Sequence, residues 1–183
     1  MIPDEIELIV NHALSTNENL RVAIKVGLAF HSLKARIISD FLSRLKSEVA
    51  AALGGQWTVG VESDEWLGLW IQKKTWPELK SIGVGSENTV GRNIYFWVTK
   101  LEGYECVAGN ALLDVDEALK SELDELVGRG SSDKDNAWWR YSPRHRNWDS
   151  EEALLALAAP DATDYWKHHL IQIAEIVARL VPA

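Results

Sequence analysis

The chain has 183 residues, enough to bury one sizeable core without staples. Its single cysteine, Cys106, excludes a disulfide framework, a CxxC redox pair and a cysteine-based zinc site, and points to a reducing compartment. With 19 basic against 27 acidic residues the net charge is -8, which argues against general attraction to nucleic acid or anionic membranes.

No apolar run reaches membrane-spanning length, and the acidic start Met1-Ile2-Pro3-Asp4-Glu5 lacks the basic region of a signal peptide, so a cytoplasmic location is expected. Ser15-Thr16-Asn17-Glu18 has the capping-box form, with Ser15 as the expected cap, between a short helix and a long one. From Val22 through Val26, Phe30, Leu33, Ile37, Phe41, Leu45 and Val49 apolar residues recur at helical spacing. This predicts one continuous stripe packed against a sheet and ended by Gly54-Gly55.

Beyond Gly55 the period is two. Trp57, Val59 and Val61 alternate with Thr58 and Gly60, and Leu67, Leu69 and Ile71 with Trp66, Gly68 and Trp70, which predicts a hairpin turning at Ser63-Asp64-Glu65. Ile82 and Val84 supply a third strand. Ile94, Phe96 and Val98, alternating with Tyr95, Trp97 and Thr99, supply a fourth, and Tyr104 to Val107 is a candidate fifth. This pattern puts aliphatic residues on one sheet face and Trp66, Trp70, Tyr95 and Trp97 on the other, a face that should not be left bare. Asp114 to Glu117 opens an acidic helix to about Val127. A glycine–serine loop follows, then an aromatic and basic segment, a short helix from Asp149-Ser150, and a final helix from Pro160-Asp161 through Leu180.

The expected fold is therefore α+β and a single domain over 1–183. Helices over 1–55 pack on an antiparallel sheet of four to five strands over 56–110, with C-terminal helices and a Trp/Arg-rich loop over 111–183.

Two surfaces stand out as binding candidates. One is the aromatic sheet face. The other is Trp138-Trp139-Arg140-Tyr141-Ser142-Pro143-Arg144-His145-Arg146-Asn147-Trp148, which has three arginines and no acid between strongly acidic flanks. Flat rings stack on bases and guanidinium groups hold phosphate, so the segment suits single-stranded nucleic acid or a phosphorylated ligand. Against that, its tryptophans can close over the aromatic face as a lid while its arginines pair with the acidic helices. The chain's overall sign favours this packing reading.

Catalytic machinery is sparse. Asp64 with Gln72 and Lys74 has part of the pattern by which nucleases hold Mg²⁺, but glutamine replaces the second acid. His168 and His169 are adjacent, hence about 100° apart on a helix, which does not suit two ligands on one metal. There is no GxSxG, P-loop or GxGxxG. No cofactor is expected apart from Mg²⁺ in the nuclease alternative.

The order of aromatics also carries a resemblance. Trp66-Leu67-Gly68-Leu69-Trp70-Ile71-Gln72-Lys73-Lys74-Thr75-Trp76, then Ser81-Ile82-Gly83-Val84, Asn93-Ile94-Tyr95-Phe96-Trp97, and Trp138-Trp139 leading to Arg146-Asn147-Trp148-Asp149, resembles the C-terminal accessory portion of large PD-(D/E)XK superfamily nucleases of bacteria and phages. It covers roughly residues 40 to 183. The resemblance implies a helper region without the nuclease core, so no catalytic residue transfers. It implies a non-catalytic recognition or assembly module, used in defence or counter-defence, that binds a protein or single-stranded nucleic acid. The alternatives are the Mg²⁺-dependent nuclease and a structural homo-oligomer.

Overall fold

A computed structural model of the chain describes residues 4–76, 81–86, 88, 91–99, 111–133 and 135–180, with backbone only over 111–116. The elements run α1 (Asp4–Leu14), α2 (Asn17–Leu53), β1 (Trp57–Glu62), β2 (Leu67–Lys73), β3 (Ile82–Ser86), β4 (Tyr95–Thr99), α3 (Ala111–Leu126), β5 (Asn136–Tyr141), α4 (Glu151–Ala158) and α5 (Thr163–Leu180). The chain divides into two compact units, Met1–Ile37 and Ile38–Ala183. The single core expected from the sequence lies wholly within the second, since no residue described in 4–37 is buried.

In the first unit the cap of α2 is Thr16 rather than Ser15: the Thr16 hydroxyl accepts the Asn19 amide at 3.1 Å, while Ser15 donates its own hydroxyl to the His12 carbonyl at 2.7 Å. The predicted stripe is also shorter than expected. Ile38, Phe41, Leu42, Leu45 and Val49 are buried, whereas Val22, Val26, Phe30 and Leu33 are exposed. Only the second half of α2 therefore serves the core.

The five strands form an antiparallel meander in chain order. One strand lies where the sequence predicted a loop: Asn136–Tyr141 pairs with β4, Trp97 opposite Trp139 and Tyr95 opposite Tyr141. The stretch Tyr104 to Val107 lies outside the described residues. The acidic helix begins at Ala111, three residues before the expected Asp114 cap, and α5 begins at Thr163, after a turn in which the Asp164 amide reaches the Asp161 carbonyl. The Ser150 cap of α4 is as expected, its hydroxyl accepting the Ala153 amide.

One sheet face is aliphatic and is covered by helices. Leu69, Ile71, Ile82, Val84, Phe96 and Val98 are fully buried there, where α5 packs on β3 and α3 on β5, and the helices bury Trp166, Leu170 and Ile173 at helical spacing on α5 and Leu119 and Leu123 on α3. An aromatic cluster ties the layers together. Trp166 meets Phe96 at 5.6 Å, Trp148 at 5.6 Å and Phe41 at 6.3 Å, and Phe41 meets Trp148 edge to face at 5.3 Å. Polar ties reinforce it: Arg44 of α2 donates to the carbonyls of Leu157 and Ala159 at the end of α4, and Glu48 accepts from Thr163 and Lys167 of α5. Among the described residues no helix is long and apolar enough to cross a membrane.

Candidate ligand-binding surface

The strand register fixes the second face of the sheet. Gly60, Trp70, Gly83, Trp97 and Trp139 form one row across the five strands, and Glu62, Gly68, Gly85, Tyr95 and Tyr141 the next. Tryptophans thus stand beside glycines, and their rings lie down on them. A Cβ on Gly60 would fall within the Trp70 ring, 2.5 Å from its Nε1. One on Gly83 would stand 2.5 Å from Trp97 Cη2 and 2.6 Å from the Leu69 carbonyl oxygen. A ring laid across a strand glycine replaces the side chain that the glycine lacks. Neighbouring rings then lock together: Trp66 and Trp97 meet at 5.1 Å, Tyr95 and Trp97 at 5.4 Å, and Trp139 and Tyr141 at 5.2 Å.

This arrangement answers what covers the aromatic face. The residues predicted to share it do share it, and among the described residues its own rings pack over one another, with Trp97 7% exposed. The segment 138–148 does not close over it as a lid. Trp139 and Tyr141 extend it by one strand, while Trp138 and Trp148 are fully buried on the helical side. The Trp138 indole donates to Asp124 at 2.9 Å, and Arg140, on the same strand parity, donates to the Val127 carbonyl at the end of α3. Gly128, at φ 101°, leaves the space that the Arg140 guanidinium fills. Asp124 also accepts the Gly130 amide at 2.7 Å. Burial raises its pKa, but these two donors, with Lys120 and Arg129 nearby, hold it below the ordinary value.

The remaining arginines of the segment stack on tyrosines. Arg144 lies 5.4 Å from the centre of the Tyr165 ring, whose hydroxyl is pushed up in pKa by burial, and Arg146 lies 3.8 Å from the centre of Tyr141. His145, between them, adopts a left-handed backbone (φ 50°) in the turn that follows β5. His169 is structural, with Nδ1 2.8 Å from the Tyr165 carbonyl and its ring stacked on Phe96.

At the β4–β5 end the aromatic face borders a cavity of about 180 Å³, floored by Tyr95, Trp139 and Tyr141 and rimmed by Asn88, Arg92, Asn93, Asp133 and Asn136. Of the rim residues, Asn93 is tied to a second Arg-Asn pair, Arg146 and Asn147, in the turn that follows β5. Arg146 Nε donates to Asn93 Oδ1 at 3.3 Å, and Asn147 Oδ1 accepts the Asn93 amide at 3.1 Å. Asn93 is left-handed (φ 55°), and Ile94 exchanges backbone hydrogen bonds with Ser142 and Arg146, which fastens the two loops together. Arg92 Nε is held by Asp149 at 2.7 Å, with 64% of its side chain exposed. Arg92, Asn93 and Asn136 were not among the site residues expected from the sequence. The signal for the first two was the Arg-Asn dipeptide recurring beside β4 and β5.

The nuclease trio is not assembled. Asp64 follows Glu62 in the β1–β2 turn, where Glu62 pairs with Gly68. Gln72 lies four residues further along β2, opposite Thr58, roughly 13 Å away at strand rise. Lys74 donates to the Gly55 carbonyl at 2.7 Å, beyond that far end. Among the described residues no three histidine, cysteine, aspartate or glutamate side chains are grouped to hold a metal ion. Searches of protein-family models, of curated proteins and of solved structures find no match to this chain.

Proposed function

We propose that the chain is a recognition module, akin to the accessory regions of PD-(D/E)XK nucleases, which binds an unpaired base of single-stranded nucleic acid at the β4–β5 end of its aromatic face. The cavity there carries the reading. At about 180 Å³ it is smaller than the roughly 300–1,000 Å³ typical of drug-sized ligands, and so suits one ring system. Its floor is aromatic, its rim holds amide side chains able to read a base edge, and two cations are at hand for a backbone phosphate, Arg92 in the rim and Arg146 stacked on Tyr141.

The net charge of -8 constrains how such binding works. Attraction to phosphate is weak, and stacking, at about 1–3 kcal/mol per base, supplies most of the affinity. With two arginines engaged, the slope of log K against log salt should be shallow, about -1.4 for a single strand.

Fluorescence anisotropy with short labelled oligonucleotides tests the reading. Single strands should bind more tightly than duplex, and Tyr141→Ala and Arg146→Glu should each weaken binding about tenfold or more while the near-UV spectrum of the fold is kept. Absence of binding at high micromolar protein, or binding unchanged by both substitutions, overturns it. Arg140 is unsuited to this test because it caps α3.

A further inference from the structure

Twelve of the fourteen large hydrophobic residues found exposed lie between Ile6 and Leu33, among them Leu8 at 72% and Leu28 at 77%. A folded monomer rarely exposes a contiguous apolar patch beyond a few hundred Å². Here the exposed apolar surface of one copy, summed over all sides of α1 and α2, is on the order of 1,000 Å², against the roughly 800 Å² that each partner contributes to a standard stable interface.

The spacing of these residues says how many neighbours the segment needs. Along α2, Val22, Val26 and Phe30 make one stripe and Leu20, Ile24 and Leu28 another. Two residues separate the stripes, a rotation of about 200°, so they lie on opposite sides of the helix. A helix apolar on opposite sides belongs inside a bundle rather than against a single surface. The chain's own α1 is too short to supply that. Its 11 residues span about 16 Å, half of the roughly 31 Å of α2 from Asn17 to Ile37. The hydrogen bonds described between the two helices gather at their joint, from Asn19 to Ser15 and His12.

Charge and sterics favour a second copy as the occupant. α1 carries Asp4, Glu5 and Glu7, whereas α2 up to Ile37 carries Arg21, Lys25, Lys34 and Arg36 against Glu18 alone, so an acidic helix and a basic helix are present in every copy. Mid-helix Gly27 has nothing within 4 Å of where a Cβ would stand, which leaves room for close helix approach. A membrane surface fits less well, because an interfacial helix has one apolar face and an opposite polar one.

We propose that residues 4–37 are an assembly element through which two copies pair, each giving α1 and the first half of α2 to a four-helix bundle. This is independent of the ligand reading above. Sedimentation equilibrium of the full chain tests it, with Ile24→Glu and Phe30→Glu variants, one on each side of α2. All nine tryptophans lie between Trp57 and Trp166, so their fluorescence reports folding of the second unit separately from pairing. The expected result is twice the chain mass of 20.5 kDa for the unaltered protein, with each variant raising the dissociation constant about a hundredfold or more while the tryptophan spectrum is unchanged. A monomer at all concentrations, including one that instead binds phosphatidylcholine–phosphatidylglycerol vesicles, overturns the proposal. So does a dimer unaffected by both variants.

Discussion

Gly83→Ala puts a methyl group where the Trp97 ring lies, and its cost measures how firmly the aromatic face is tiled. In an ordinary strand the change would gain roughly 0.5–1 kcal/mol by restricting the unfolded chain. At this site the new Cβ overlaps the ring and stands 2.6 Å from the Leu69 carbonyl oxygen, which belongs to the neighbouring strand and cannot swing aside. The ring must therefore lift. Trp97 is 7% exposed, and a tryptophan buries about 200 Å², so losing half of that contact at about 25 cal/mol per Å² costs roughly 2.5 kcal/mol. Strain at the β2–β3 ladder adds to this, and a net destabilisation of about 2–4 kcal/mol is expected in urea-induced unfolding followed by circular dichroism. Combining Gly83→Ala with Trp97→Leu removes the overlap, so the double variant should be more stable than the sum of the single losses by about 1 kcal/mol or more. A loss below about 0.5 kcal/mol for Gly83→Ala, or strict additivity with Trp97→Leu, would refute the tiling argument.

Three further outcomes are expected. Trp148→Ala empties the centre of the Phe41, Trp148 and Trp166 cluster and should cost about 3–5 kcal/mol by the same unfolding measurement. Asp124→Ala strands the buried Trp138 indole and the Gly130 amide and should cost about 2–3 kcal/mol, visible also as a changed near-UV tryptophan signal. Acid titration of stability should show Glu48 and Asp124 together. Glu48 is held below its ordinary 4.5 mainly by the hydrogen bond from Lys167. For Asp124, ordinarily 3.8, burial is the largest influence and acts upward, but its donors outweigh it. Because both folded values are depressed, their contributions are fully present above about pH 4.5 and lost as the pH falls through the lower folded values, so Glu48→Gln with Asp124→Asn should flatten that limb.

The α+β class, the first four strands and the division of the sheet into an aliphatic and an aromatic face were legible because each rests on local period. Leu67, Leu69 and Ile71 alternate with their neighbours whatever the rest of the chain does. The fifth strand was not legible. Trp138 and Arg140 turn to the helices and Trp139 and Tyr141 to the aromatic face, so β5 has no alternation of apolar and polar residues, and its partner β4 lies more than thirty residues earlier. The cavity escaped for the same reason, since Arg92-Asn93 and Arg146-Asn147 become neighbours only once β4 and β5 pair.

Residue order alone thus determined which side chains share a face, because strand and helix periods are properties of neighbouring residues. What covers each face was decided by tertiary structure, because that depends on which strands meet and in what register. The stripe from Val22 to Val49 looked uniform, yet only the part from Ile38 onward is buried. The aromatic face looked to need a lid, yet Gly60 and Gly83 fall in register beside Trp70 and Trp97 and let the rings lie flat on the sheet that bears them.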